Sequence, residues 1–117
     1  MEMGFEYASS IGTLSNDERL LFYELFAHNL TVVTRGIWSD ETISDEEKVD
    51  RMKWVNEVLH RVTSKIRVVR QNPEEWPEED FWQGIQHWVD QNKAIESFVN
   101  AAVSWSYKSV TDSTAHI

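Results

Sequence analysis

The sequence predicts an all-α fold, a bundle of long helices, and three observations lead to that prediction. Apolar residues recur at alternating steps of three and four over residues 52–69 and 81–102, which is the period of a helix and not of a strand. Two Ser-x-x-Glu patterns, beginning at Ser15 and Ser44, are typical of helix N-termini. Only 4 glycines and 2 prolines interrupt the 117 residues. We therefore expect three long helices in an up-down-up bundle.

The start and the end of the chain lack this periodicity. A sequence of this length holds one domain, which we place at residues 15–110. Residues 1–14 are predicted to form an irregular, flexible N-terminal arm, and residues 111–117 a frayed tail. Three apolar residues of the arm are candidates for docking it onto the domain: Phe5, Tyr7 and Ile11.

The first predicted helix begins at Ser15, whose hydroxyl and Glu18 form a capping box, and it runs to about Ile37. Its apolar residues cover more than one stripe, so it should be the most buried of the three. Five polar residues interrupt it: His28, Asn29, Thr31, Thr34 and Arg35. We expect a buried hydrogen-bond network there, faced by Asn56 and Asn92, because an unpaired buried polar group costs about 1–3 kcal/mol. A small ligand pocket and plain solvent exposure are the alternatives.

The second predicted helix begins after Ser44, with Glu47 three residues on, and Pro73 prevents its continuation. Its apolar seam consists of Met52, Val55, Leu59, Val62, Ile66 and Val69. Positive charge collects near its end, in Arg61, Lys65, Arg67 and Arg70. Since cations near a helix C-terminus complement the helix dipole, we interpret this stripe as dipole complementation together with pairing to acidic residues of a neighbouring chain.

The third predicted helix has Pro77 at its first position, carboxylates in its first turn and an end near Lys108. We expect those carboxylates to be solvated. Its seam consists of Phe81, Ile85, Trp88, Asn92, Ile95, Val99 and Ala102. Asn92 on such a seam is typical of a residue that sets helix register. The second and third helices would overhang the first, which predicts a homodimer that covers the exposed seams.

Composition excludes several classes of function. With no cysteine, the chain has no disulfide scaffold, thiol nucleophile or thiolate metal site. A net charge of −9 argues against nucleic-acid binding, since that affinity comes largely from Lys and Arg. No apolar run is long enough to cross a membrane, and no phosphate-binding glycine loop or nucleophile elbow occurs. We expect a soluble, cytoplasmic protein without a cofactor.

Three histidines, one in each predicted helix, raise the alternative of a metal site. Each has a carboxylate one helical turn away, and antiparallel helices would bring the three imidazoles to a similar height. The pairs are His28 with Glu24, His60 with Glu57, and His87 with Asp90. Only His28 is in register with the apolar residues of its helix, and a di-iron site needs four helices. We therefore favour half-buried polar packing for all three, with a histidine–carboxylate metal protein or enzyme as the alternative.

Six tryptophans are an unusual number for a chain of this length. Three of them, Trp54, Trp82 and Trp88, are placed to pack between helices. Trp38 and Trp105 fall where we expect one end of the bundle, with acidic residues nearby. Aromatic side chains are enriched at protein interfaces. The candidate partner-binding residues are Trp38, Trp105, Tyr107, Asp40 and Glu41. The sequence thus favours a small acidic helical protein that acts as a non-enzymatic protein–protein interaction or regulatory module, with a basic or amphipathic partner.

Overall fold

The computed structural model of the chain describes residues 8–72 and 74–115, and these residues form helices and turns without any strand. The all-α prediction is confirmed. Five α-helices and one 3₁₀ turn at Lys93–Ile95 follow one another along the chain. The α-helices are α1 (Ala8–Gly12), α2 (Asn16–Ser39), α3 (Asp45–Gln71), α4 (Glu78–Gln91) and α5 (Glu96–Ala115).

Both predicted serine caps are present at the helix starts. The Ser15 hydroxyl accepts from the Glu18 N–H while the Glu18 carboxylate accepts from the Ser15 N–H, so α2 begins with a complete capping box. At α3 the Ser44 hydroxyl accepts from the Glu47 N–H. The Glu47 carboxylate does not return to its cap, because it accepts hydrogen bonds from Arg51 and Asn92 instead.

The single third helix predicted from the sequence is wrong, because the segment is two helices that meet at Asn92. Asn92 is the C-cap of α4, and its side-chain oxygen accepts from the Ala94 N–H to start the 3₁₀ turn. Its amide group also donates to Glu47 at 3.0 Å and to Asp50 at 2.7 Å. Asparagine competes for backbone groups in this way and favours caps over helix interiors. Asn92 therefore ends a helix rather than setting register inside one.

The break changes the direction of the last helix. Helix α2 packs against α3 and α5, while α3 also packs against α4, and α1 packs on α4. Asn92, just before α5, contacts Asp50 near the start of α3. Ten residues into α5, the Ser106 hydroxyl accepts a hydrogen bond from Asn29, in the middle of α2, at 2.9 Å. Helix α5 therefore runs back along α2, so four long helices replace the three that the sequence predicts.

Aromatic rings fill the core between α2 and α4. Phe22, Phe26, Phe81 and Ile85 are fully buried, and Trp82 is 3% exposed. The ring of Phe26 stacks on the indole of Trp82 with centroids 5.8 Å apart and an interplanar angle of 14°. Large rings of this kind bury the most apolar area per residue, so this cluster is the centre of the hydrophobic core.

The buried face of α3 is rotated from the predicted seam. Val55, Val62 and Val69 are buried, as predicted, whereas the seam residues Met52, Leu59 and Ile66 are only half-buried. Val58 and Lys65 are fully buried in their place. The seam therefore forms one flank of the buried face of α3 and not its centre.

Helical structure extends into both terminal regions. Within the predicted arm, α1 forms a short helix and Ile11 is fully buried, while Phe5 and Tyr7 lie outside the described residues. Residues 111–115, predicted as part of a frayed tail, continue α5. Pro73, like the first seven and last two residues, is outside the described part of the chain.

The expected polar network inside the first helix is replaced by separate interactions. Asn29 pairs with Ser106 of α5, and the hydroxyls of Thr31 and Thr34 donate to carbonyls of their own helix. His28 and Arg35 are exposed, as is Asn56 on α3. One of these residues thus links two helices, and the others satisfy their polar atoms locally or in water.

Candidate functional site

A carboxylate near the start of α4 collects four donors from three helices. One oxygen of Glu78 accepts from the Tyr23 hydroxyl and from the Trp82 indole N–H at 3.3 Å. The other oxygen lies 3.5 Å from Nη1 of Arg19 and 3.4 Å from Nζ of Lys65. Arg19 is 7% exposed and Lys65 is not exposed at all. We call these five residues the Glu78 cluster.

Burial shifts the ionisation of two members of the cluster. Burial raises the pKa of the Tyr23 phenol far above its usual value, and the neighbouring charge of Glu78 raises it further. Burial lowers the pKa of the Lys65 ammonium, which the attraction of Glu78 partly offsets. The ammonium also donates to the Trp76 carbonyl oxygen and lies 5.5 Å from the ring centroids of Trp76 and Phe81. Its charge is therefore compensated on several sides.

An arginine beside the cluster fastens α3 to α4. Arg61 donates from Nε to the Phe81 carbonyl at 3.1 Å and from Nη2 to the Asp80 carbonyl at 3.0 Å. The guanidinium passes so close to Gly84 that a Cβ there would lie 2.0 Å from Cζ of Arg61. A side chain at position 84 would displace the guanidinium from these hydrogen bonds, so the missing side chain of Gly84 leaves room for it.

The Glu78 cluster connects α2, α3 and α4, because its four donors all point to the Glu78 carboxylate. The carboxylate that would serve as a general base already accepts from four donors, and the Lys65 amine is closed off from solvent. The sequence interpretation missed it because it treated Glu78 as a solvated carboxylate and assigned Lys65 to a stripe that complements the helix dipole. The signal was present, since Lys65 lies three residues after Val62 and four before Val69, on the buried face of the helix.

The six candidate metal-ligating residues are not brought together. His28, His60 and His87 are all exposed, which overturns the expected inward position of His28. His28 is two positions from both Phe26 and Leu30, and two positions turn a helix by about 200°, which places it opposite the buried face.

The carboxylates near these histidines have other partners or surroundings. Glu24 pairs with Arg70 at 2.7 Å and Asp90 with Lys93 at 2.8 Å, while Glu57 is half-buried on α3. Hydrogen bonds from Lys93, and then from Gln86, lower the pKa of Asp90. In residues 8–72 and 74–115, no three or more His, Asp or Glu side chains are grouped so that they could hold a metal ion.

The predicted partner-binding residues divide into two places. Trp38, Asp40 and Glu41 lie at the connection between α2 and α3, and the indole of Trp38 is 52% exposed. Trp105, which is 55% exposed, lies on α5 beside the middle of α2, because its neighbour Ser106 accepts a hydrogen bond from Asn29. Asn29 and Trp38 are nine positions apart, which corresponds to about 13.5 Å along the axis of α2. The expectation that the two indoles share one end is corrected by the break at Asn92.

Tyr107, the remaining candidate, is half-buried on α5, in contrast to the exposed Trp105 two positions before it. Two positions along a helix turn the side chain by about 200°, so these two residues lie on different faces of α5. They do not form one aromatic patch.

The connection after α2 is strongly acidic and carries exposed apolar residues. Residues 38–50 contain six acidic side chains and one basic one, Lys48, whose ammonium donates to the Trp38 carbonyl at 3.1 Å. The Asp40 carboxylate is occupied locally, since hydrogen bonds from the Thr42 hydroxyl and N–H hold its pKa below the usual range. Among the residues exposed to solvent here are two large apolar residues, Trp38 and Val49, which is 59% exposed, and three acidic ones, Glu41, Asp45 and Glu46. We call these five the Trp38 surface.

Comparison of the chain with protein-family models, with curated proteins and with solved structures finds no match.

A search of the described helices for an apolar stretch of membrane-spanning length finds none.

Proposed function

We propose that this protein is a non-enzymatic interaction module that binds a basic, amphipathic helix of a partner protein at the Trp38 surface. The observation that carries the proposal is the exposure of Trp38, 52% open to solvent and placed among acidic side chains. Tryptophan is the residue most enriched at binding hot spots, where a large ring is buried on association. An indole this exposed has apolar area left to bury.

Charge selects the kind of partner. Three exposed carboxylates, Glu41, Asp45 and Glu46, lie between Trp38 and Val49 in the sequence, and the chain as a whole carries −9. A partner with Lys and Arg flanking an apolar stripe would meet opposite charge around its edge and apolar side chains at its centre. An acidic partner would be repelled.

The test uses a fluorescein-labelled helical peptide with an apolar Leu stripe and flanking Lys residues, with fluorescence anisotropy as the readout. The comparison peptide keeps the Leu stripe and replaces each Lys by Glu. We expect the basic peptide to bind with an affinity that falls as salt is added, and the acidic one not to bind. Equal affinity for the two peptides would contradict the proposal.

Variants locate the site. Trp38→Ala is expected to weaken the basic peptide about tenfold or more, and Glu41→Lys to weaken it by a smaller factor that disappears at high salt. Trp105→Ala, a matched change of an equally exposed indole on α5, should leave the affinity unchanged. A loss in the Trp105 variant alone would move the surface to α5 and overturn the assignment to Trp38.

The predicted homodimer and the cytoplasmic location stay predictions. The overhang that predicts the dimer depends on one long third helix, whereas that segment is divided into α4 and α5. Light scattering of the free protein decides the oligomeric state, and the anisotropy titration is then interpreted per protomer.

A further inference from the structure

A groove of about 550 Å³ lies between α2 and α3, where α3 ends. Its wall includes Glu24, the ninth residue of α2, which pairs with Arg70, whereas Trp38 is in the last turn of α2. The groove is therefore nearer the N-terminal end of α2, away from Trp38. We call it the Arg67 groove. Its lining residues are Glu24, Thr63, Ile66, Arg67, Arg70 and Gln71.

The groove concentrates positive charge in an acidic chain. Glu24 accepts from Nη2 of Arg70 at 2.7 Å, which uses one of the five N–H donors of that guanidinium. Arg67 is exposed and has no ion-pair partner among the described residues. Two arginines and one glutamate leave the groove with a charge of about +1, where the whole chain carries −9.

The remaining lining residues set the shape of the occupant. Ile66 is half-buried in the lining of the groove and offers an apolar surface. The Thr63 hydroxyl donates to the His60 carbonyl, so it contributes no free donor. The donors that are left belong to Arg67, Arg70 and the exposed amide of Gln71. Guanidinium groups bind carboxylate and phosphate oxygens in a bidentate manner.

The helix dipole sharpens the prediction. The groove is beside the C-terminal end of α3, where the partial negative charge of the helix repels anions. The backbone therefore gives an anion no help, and side chains alone must hold it. Binding must then depend strongly on Arg67 and on ionic strength.

We propose that the Arg67 groove is a binding site for a small amphipathic anion, a molecule with one carboxylate or phosphate group and an apolar body that packs on Ile66. A single oxyanion matches the net charge of the groove, and a volume of about 550 Å³ is that of an ordinary small-molecule site. This site is independent of the Trp38 surface and of any protein partner there.

The test is a titration followed by NMR amide shifts and by calorimetry, with octanoate as the probe. Three comparison probes separate the contributions of charge and apolar contact to binding. Octanamide lacks the charge, acetate lacks the apolar body, and inorganic phosphate is an oxyanion of another chemical type without an apolar body. We expect saturable shifts in residues 63–71 with octanoate, and binding at least about tenfold weaker for octanamide and acetate. Phosphate binding as tight as octanoate would show an unspecific anion site and would overturn the apolar part of the proposal.

Arg67→Gln tests the residue that matters most, and it changes an exposed position. We expect it to weaken octanoate about tenfold, whereas Arg35→Gln, which removes an exposed arginine of α2 outside the groove, should have no effect. Equal weakening by both variants would mean general electrostatics, and unchanged binding in Arg67→Gln would refute the site. Failure of peptide binding at Trp38 would leave this result untouched, because the two sites share no residue.

Discussion

The two ends of α2 carry the same residue types in opposite roles. At one end the Glu78 cluster combines aromatic rings with a carboxylate, and every donor and acceptor faces inward. At the other end the Trp38 surface combines an aromatic ring with carboxylates that face water. The two groups differ in where their side chains lie relative to the buried face of each helix, and not in the types of residue they contain. An aromatic and acidic group holds the fold together at one end, and leaves apolar area available to a partner at the other.

The largest expected effect comes from breaking the Glu78 cluster. Glu78→Ala should lower the free energy of unfolding by about 3–5 kcal/mol, because it leaves Lys65 and Arg19 buried without their counter-charge. Urea denaturation measures this. Glu79→Ala removes an exposed carboxylate from the same turn and should cost less than about 0.5 kcal/mol. Similar losses in both variants would show that the cluster has no special role.

The break between α4 and α5 gives the next effect. Asn92→Ala removes the cap of the 3₁₀ turn and the bonds to Glu47 and Asp50, and we expect a loss of about 1–2 kcal/mol. Asn56→Ala, at an exposed position inside α3, is the matched control and should change stability little. If the two variants are equally stable, Asn92 does not determine the fold-back of α5.

Acid sensitivity follows from Glu47, the acceptor of Asn92. Hydrogen bonds from Asn92, and then from Arg51, lower the pKa of Glu47 in the folded protein. The unfolded chain therefore binds this proton more readily, and the stability that Glu47 provides is present above its unfolded pKa of 4.5 and is lost as pH falls through the lower folded pKa.

Urea midpoints measured between neutral pH and about pH 3 check this dependence. The Glu47→Gln variant should lose less stability over that range than the wild-type chain, because its amide does not titrate. A pH dependence unchanged by the substitution would contradict the assignment to Glu47.

The smallest effect is expected at Trp38, in the proposed partner surface. Trp38→Ala should change the free energy of unfolding by less than about 0.5 kcal/mol, since more than half of the indole is already in water. Trp82→Ala, at a buried indole that stacks on Phe26, should cost about 3–5 kcal/mol. Thermal or urea denaturation of the two variants gives the contrast directly. A large loss with Trp38→Ala would place that ring in the fold and not at a surface for binding.

Local signals in the sequence were sufficient for the fold class and for the helix starts. Ser15 and Ser44 cap helices as predicted, because a cap is a contact between residues three apart. The apolar spacing of 81–102 was also informative, since most of those residues are buried even though two helices share them. What the pattern did not show is that Asn92 interrupts it, because a polar residue on a seam is compatible with either a register position or a cap.

The candidate site was harder to predict because it depends on contacts between distant residues. The position of Trp105 changed with the direction of α5, which the break at Asn92 decides. The sequence interpretation placed Lys65 in a basic stripe that complements the helix dipole, whereas its burial depends on Glu78 from another helix. Trp38 and Glu41 needed no such contacts: Trp38 is exposed in the last turn of α2, and Glu41 is exposed in the connection that follows it.

The most direct test of the account is an NMR titration of the six tryptophan indole N–H signals with the basic amphipathic peptide. We predict a saturable shift of the Trp38 signal, with the signals of Trp82 and Trp105 unchanged. Absence of any shift, or a shift of Trp105 without Trp38, would contradict the claim that the acidic end of α2 is the surface on which this protein binds its partner.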